Sequence, residues 1–426
     1  MKTYAGYEDV DLFAEGAQEH WYEAYPLLHE QAPVLRLPGE GLVPGTDGFV
    51  LSKYNDIERV VKDAERYTPT MSLAVDALIA EGSDNTDGFN LALQSLVTLR
   101  PNAELWRSHR QELTDPWVGP GARRHQEMIT ELVDELIDSW IEQPQIDFVA
   151  QFARPLPQRV TARVLGFPDA DVEQLALWGT AQVMSFVYGK GHRNELNAQQ
   201  MEQQNAELRG FAEYVRDQIQ RKREHPADDM ISFLIDVVYQ PLQRQLTDSE
   251  IQGVVYFMVL GGLETTQYAL AEQAQLLCET PGLFDTLKAD PDKIRAFTEE
   301  VMRIRAPTQG LSTRITTQDE LFQGVEVPAG SLLHLRWAAG NVDPERYECP
   351  YQIDLERKAL GNHLTFSQGP RTCPGAGISR LEQQIAWQRL LPRLAAIEYA
   401  PGNTMSHQPG IMLGTDAVHL SIKPQR

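Results

Sequence analysis

The ten residues Phe366-Ser-Gln-Gly-Pro-Arg-Thr-Cys-Pro-Gly375 set one cysteine on a turn rich in glycine and proline. Directly after them, from about Gly375 to Leu391, apolar residues recur at helical spacing, and Pro392 marks the end. Cys373 therefore stands at a helix start, where free backbone N–H groups, the helix dipole and nearby Arg371 favour thiolate. A thiolate is a nucleophile or a soft metal ligand. For any one cysteine the plain alternative is a thiol packed in a turn. Zinc fits poorly, because neither a CxxC nor an HxxxH pair accompanies Cys373.

Upstream, Thr247-Asp-Ser-Glu250 has capping-box spacing and opens a helical pattern that closes at Thr280-Pro281-Gly282. At ~1.5 Å per residue this predicts one rod of roughly 45–50 Å. Its middle, Val254 to Leu260, is apolar all round and belongs in the core. Gly261-Gly-Leu-Glu-Thr-Thr266 then breaks the pattern. Each glycine costs about 1 kcal/mol against alanine inside a helix. Close approach of a flat ligand is one reason for them, and tight helix packing is the other. Thr265 lies four residues after Gly261, so its hydroxyl can reach that carbonyl and locally open the helix. Glu264 places an acid in apolar surroundings, where an unpaired charge is expensive.

Cysteine loop and glycine–threonine segment together carry a resemblance. The loop resembles the haem-ligand loop of the cytochrome P450 family, F-x-x-G-x-[RH]-x-C-x-G, which Phe366, Gly369, Arg371, Cys373 and Gly375 match. Gly261 to Thr265 is similar at every position to the family's [AG]-G-x-[DE]-T segment, Glu300-Val-Met-Arg303 to its E-x-x-R pair, and Trp106-Arg-Ser-His-Arg110 to its [WH]-x-x-x-R element. All four occur in the family's order. The resemblance implies a mainly α fold with a minor β component, residues 1–426 forming a single catalytic domain around haem b.

Carried over residue by residue, Cys373 is the thiolate ligand of the iron, an electron-rich sulfur that favours O–O cleavage. Backbone N–H groups after it, at Gly375, tune that sulfur, and Phe366 shields it. Arg371, Trp106, Arg110, Arg314 and His363 take places that hold haem propionates. Glu264 and Thr265 form an acid–alcohol pair that relays protons, with Gly261, Phe257 and Leu260 facing the distal pocket. Glu300 and Arg303 are a buried structural pair. The family's usual third partner, an arginine, is replaced by Gln352, and Arg357 is the substitute nearest in sequence. Ser367 stands where the family often has glycine, a change expected to alter local turn geometry. By family position Leu73, Phe89, Phe186, Val187, Phe257, Leu260, Leu311 and Ile411 line an apolar, partly aromatic substrate pocket.

Composition narrows the remaining classes. Over 426 residues, 38 basic against 60 acidic side chains give −22, a surface that repels phosphate backbones and anionic lipid. A hydrophobic share of 42% and a charged share of 23% are ordinary for a folded, water-soluble chain. Three cysteines make no disulfide framework, and the longest apolar run, Gly253 to Leu263, is far below the ~20 residues that span a bilayer. These features predict a cytoplasmic monomer without membrane or nucleic-acid partners. The leading activity is insertion of one oxygen atom into a small, largely apolar molecule, by hydroxylation or oxidative demethylation. Electrons would come from NAD(P)H through a reductase and a ferredoxin-type donor, docked on a basic patch that includes Arg107, Arg110, Arg123, Arg124, Arg371 and Arg380. A gas sensor or electron carrier is the alternative, and the complete Glu264–Thr265 pair argues against it.

Local patterns complete the expected architecture. Phe49 to Tyr54 reads as a strand, Glu127 to Ile141 as an amphipathic helix, Asp292 to Arg305 as another, and Gly324 to Leu335 as a hairpin. Met71 to Leu99 reads as a long functional loop.

Overall fold

A computed structural model describes residues 4–425, except 15, 20, 74–94, 96, 101, 188–193, 311 and 409; at 103 and 185–187 it describes the backbone alone. Helices dominate between residues 103 and 305. Ala103–His109, Gln126–Trp140, Pro155–Leu165, Val172–Val187, Ala198–Glu224 and Met230–Asp236 precede the core helices. The amphipathic stripe expected from 127 shows why Gln126–Trp140 holds its place. Ile129, Leu132, Val133, Ile137 and Trp140 are buried in one large core cluster that also takes Val254, Val259, Leu270 and Trp387.

The expected single rod is two helices. Asp248–Gly262 opens with a complete capping box: the Glu250 N–H donates to Thr247 Oγ1 at 3.3 Å, and the Thr247 N–H donates to Glu250 Oε2 at 2.8 Å. Leu263 and Glu264 interrupt it, and Thr265–Glu279 continues beyond. The cause is local. Thr265 Oγ1 donates to the Gly261 carbonyl at 2.8 Å, so the side chain takes an acceptor that a continuous helix reserves for backbone N–H.

Five strands form a sheet in the order Val34–Leu37, Gly48–Leu51, Leu332–Leu335, Thr313–Thr316, Tyr67–Pro69. Here the hairpin expected over 324–335 needs correction. Val325–Val327 turns back onto Glu320–Phe322, whereas Leu332–Leu335 pairs parallel to Gly48–Leu51 and antiparallel to Thr313–Thr316. Gln323 and Gly324 both have positive φ, the conformation of a tight two-residue hairpin turn. Leu332 to Leu335 is buried at every position, which suits a strand in the middle of a sheet. Ala376–Leu390 starts directly after the cysteine loop and ends in a short turn through Pro392. Among the described residues no helix is long and apolar enough to cross a membrane.

Candidate active site

The loop that carries Cys373 is tied to itself. The Cys373 N–H donates to the Phe366 carbonyl at 2.8 Å, and Thr372 Oγ1 donates to the Gly369 carbonyl at 2.8 Å. Gly369 has φ +72, and a Cβ there would lie 2.7 Å from the Val61 carbonyl oxygen, so the turn accepts no side chain at that position. Ser367 also has positive φ, +56, with ψ −175, a region used almost only by glycine. Its hydroxyl is buried and has no partner among the described residues.

Two adjoining cavities, about 140 and 300 Å³, lie between this loop and the break in the core helix. Gly261, Thr265, Phe366, Cys373 and Ser379 line both. The two glycines divide the roles left open by the sequence. A Cβ on Gly261 would meet nothing within 4 Å, whereas one on Gly262 would lie 2.6 Å from Thr161 Oγ1. Gly262 serves packing against the neighbouring helix, and Gly261 faces the open space.

Electrostatics on the two sides differ. Burial pushes the Cys373 thiol up, against the backbone N–H groups of Gly375 and Ala376 and the charges of Arg110 and Arg380, which favour thiolate. The helix start alone therefore does not make Cys373 acidic. Burial also raises Glu264, next to Thr265 but lining neither cavity, while hydrogen bonds from Tyr268 and Thr180 oppose the rise. The Tyr268 hydroxyl lies 3.1 Å from Glu264 Oε2 and 3.2 Å from Gln408 Oε1.

A third group consists of cations short of anions. Burial lowers Arg314 to about 10, and lowers Arg371 to about 8 with the charges of Arg314 and Arg100 adding to the effect. Both line the larger cavity. Arg371 donates to Ser72 Oγ at 3.0 Å and Arg314 to the Thr313 carbonyl at 2.9 Å; neither has a carboxylate partner among the described residues. Unpaired buried charge is costly, so this wall calls for an anionic group. A haem would fit on both counts: the thiol would hold its iron, and Arg314 and Arg371 would offer partners to its carboxylates.

Other expected contacts are placed differently. The Trp106 indole N–H donates to the Arg100 carbonyl at 3.0 Å, and its ring lies 3.6 Å from the Arg371 guanidinium, so Trp106 supports that cation instead of offering its own N–H. Arg110 is paired with Asp115 at 3.0 Å. His363 Nε2 lies 3.0 Å from Glu299 Oε2, which Arg380 also grips, and its ring centre is 6.0 Å from that of Phe366. Of the pocket residues, Phe257 lines the smaller cavity, while Leu260 packs on the core and Ile411 packs against Tyr268 and Met412. Leu73 is half-buried near the start of the undescribed segment. Phe89 and Leu311, and the side chains of Phe186 and Val187, lie outside the described residues.

Glu300 and Arg303 are buried and paired through two hydrogen bonds, 2.8 and 3.0 Å. Arg357 is the third member, its Nε 3.0 Å from Glu300 Oε2, and Gln352 contributes only its backbone carbonyl to Arg303. Three residues at the site escaped the sequence reading. Tyr268 was reachable from its four-residue spacing after Glu264. Arg100, and Glu382, a fully buried acid that lines the smaller cavity with Oε2 unpartnered, carried no local signal.

Comparison with known proteins gives the class. The family model described as cytochrome P450 matches residues 175–419, more than half of the sequence. This chain belongs to the cytochrome P450 family and is a haem-thiolate monooxygenase. Its curated relatives include cytochrome P450 107B1 of Saccharopolyspora erythraea, 27% identical with 92% of each chain covered. The 6-deoxyerythronolide B hydroxylase of the same organism is 26% identical, covering 91% of this chain and 92% of the other. Among solved structures, CalO2 superposes with a TM-score of 0.82 at 22% identity over 97% of this chain and 99% of the other. P450BioI, solved with an acyl carrier protein carrying hexadec-9Z-enoic acid, gives 0.79 at 23% over 95% and 99%. At such identities the structures speak for the fold alone.

Proposed function

We propose that the cavity between Cys373 and Gly261–Thr265 holds haem b, and that the enzyme there inserts one oxygen atom from dioxygen into a small, largely apolar substrate. Hydroxylation and oxidative demethylation both fit. The observation that carries this reading is the facing of Cys373 and the Gly261–Thr265 break across one shared space. When bound, a haem would supply dioxygen activation, and Cys373 would hold its iron.

The chain's own residues hold and move protons. Thr265 donates its hydroxyl hydrogen to Gly261, which leaves the oxygen lone pairs to hold a water in the cavity. Glu264, raised by burial, keeps a proton closer to neutral pH than an ordinary carboxyl does. Tyr268 and Gln408 connect its far oxygen to the next layer of polar groups. Arg314 and Arg371 seat the ring's carboxylates, Trp106 backs Arg371, and Phe366 covers the cysteine side. Residues 1–426 act as one catalytic domain.

Electrons reach this site from NAD(P)H through a reductase and a ferredoxin-type protein. The docking patch is narrower than the sequence indicates. Arg380 and Arg110 are spent on Glu299 and Asp115, and Arg124 pairs with Asp228 over the Trp117 ring. Arg107 and Arg123 are exposed and lack ion-pair partners among the described residues.

The deciding experiment is the spectrum of the reduced carbon monoxide complex. It should show the red-shifted Soret band of thiolate ligation, lost in Cys373→His and kept in Cys278→Ser and Cys349→Ser. A thiolate spectrum from Cys373→His refutes the assignment.

A further inference from the structure

Arg100 is held in a way its neighbours do not require. The Tyr239 hydroxyl donates to the Leu99 carbonyl at 2.8 Å, and the Trp106 indole N–H donates to the Arg100 carbonyl at 3.0 Å. Two consecutive peptide units are thus pinned by buried aromatic donors. From that fixed backbone the guanidinium lies 5.3 Å from the centre of the Phe257 ring. Phe257 stands one turn before Gly261 and lines the cavity with Cys373.

Among the described residues this guanidinium has no carboxylate or carbonyl acceptor. Its charge also presses on Arg371 and on buried His109, both of which it lowers further. The fold therefore keeps a further cation near Arg371 and fixes the backbone from which it extends. Haem b brings two carboxylates, and Arg314 and Arg371 line the cavity that would take them. Arg100 sits instead against a ring of the distal helix, and it is left over when those two are matched.

We propose that Arg100 binds a carboxylate of the substrate, which makes the preferred substrate an amphipathic acid: an apolar body over the haem and one anionic group at Arg100. A guanidinium offers a planar fork that matches a carboxylate with two parallel hydrogen bonds. The Phe257 ring beneath it favours the cation and keeps one of its faces dry. The inference rests on the reading of the Cys373 cavity as a haem site.

The test is an optical titration of the ferric holoenzyme with imidazoles bearing alkyl chains of about four to about twelve methylenes. Each chain ends in a carboxylate or in its methyl ester. Imidazole nitrogen shifts the Soret band whatever the natural substrate, so a complete absence of shifts refutes the haem site itself. With shifts present, at least one chain length should bind as the acid about tenfold tighter than as the ester, the scale of a pair of charge-assisted bonds. Arg100→Gln should erase that preference while haem content and the reduced carbon monoxide spectrum stay unchanged. Arg100→Lys, which keeps the charge but loses the fork, should retain part of it and serves also where Arg100→Gln does not fold. Equal binding of acid and ester at every length overturns the proposal, as does a preference that survives both variants. Partial loss of haem from Arg100→Gln, with the acid-to-ester ratio unchanged in the fraction that keeps it, also overturns it, because Arg100 would then serve the cofactor.

Discussion

Replacing Arg357 by methionine should destabilise the protein by about 2–3 kcal/mol, although Arg357 lies in an irregular segment far from the cavity. Glu300 and Arg303 are 1% and 2% exposed at the side chain, and Arg357 is 13% exposed. Glu300 accepts two bonds from Arg303, one from the Asp354 N–H at 3.1 Å, and the Arg357 Nε at 3.0–3.1 Å from both oxygens. Methionine removes the last of these yet leaves the carboxylate paired, so the loss is one shared charge-assisted contact rather than an orphaned ion. Arg303→Met is different. It strips Glu300 of its nearest partner and also frees the carbonyls of Asn341, Pro350 and Gln352, which Arg303 holds at 2.9, 2.7 and 3.3 Å. That should cost about 4 kcal/mol or more, against a total stability of only about 5–15 kcal/mol for a typical domain, so loss of soluble protein is the expected outcome. Gln352→Ala should cost under about 0.5 kcal/mol, because only its backbone takes part. Urea unfolding of Arg357→Met and Gln352→Ala, with the soluble yield of Arg303→Met, gives the ranking, and a cycle with Glu300→Gln isolates the Arg357 coupling. If Gln352→Ala were as destabilising as Arg357→Met, the assignment of the third partner would be wrong.

Thr265→Ala should keep substrate binding and consumption of oxygen and NAD(P)H but release mainly hydrogen peroxide, whereas Glu264→Gln should slow the whole cycle, a step where general acid help is worth about 10²–10⁴-fold; the ratio of product to NAD(P)H with a peroxide assay separates them, and full coupling in Thr265→Ala would move the relay elsewhere. Ser367→Gly should stabilise by about 1 kcal/mol by relieving the positive φ and removing an orphaned hydroxyl, read as a higher urea midpoint. Burial alone would raise Glu299, but bonds from His363 and Arg380 hold it down at about 2. Its contribution, up to roughly 3 kcal/mol, is complete above the unfolded carboxyl's pKa and is lost as pH falls from about 5 towards 2; Glu299→Gln should flatten that limb of a stability–pH curve, and an unchanged slope would count against it. First-electron transfer should slow with rising ionic strength and in Arg123→Glu, and a rate indifferent to both would exclude docking at that arginine.

What was legible in the sequence was whatever residues within a few turns of one another decide. The capping box at Thr247, the helix start after Cys373, the reach of Thr265 to Gly261 and the apolar stripe over 127–141 all depend on spacings of three or four, so they appear in the structure where the sequence puts them. Even there, the expected single rod is two helices, because Thr265 takes the Gly261 carbonyl from the backbone ladder.

Contacts between distant segments were decided by the tertiary structure. Arg357 reaches Glu300 across 57 positions and Tyr268 reaches Gln408 across 140, and no periodicity marks such pairs in advance. Leu332–Leu335 left its expected hairpin because a strand buried on both faces gains more between Gly48–Leu51 and Thr313–Thr316 than beside an exposed turn. Charge shows the same division. The sequence counts arginines but cannot say which find an acid: Arg380 and Arg110 do, while Arg314 and Arg371 line the cavity without one among the described residues. Burial then changes what those residues are. It raises Cys373 where a helix start alone would lower it, and leaves a wall of cations whose free energy falls only when an anion arrives, since desolvation is a property of the packed surroundings and not of the residue.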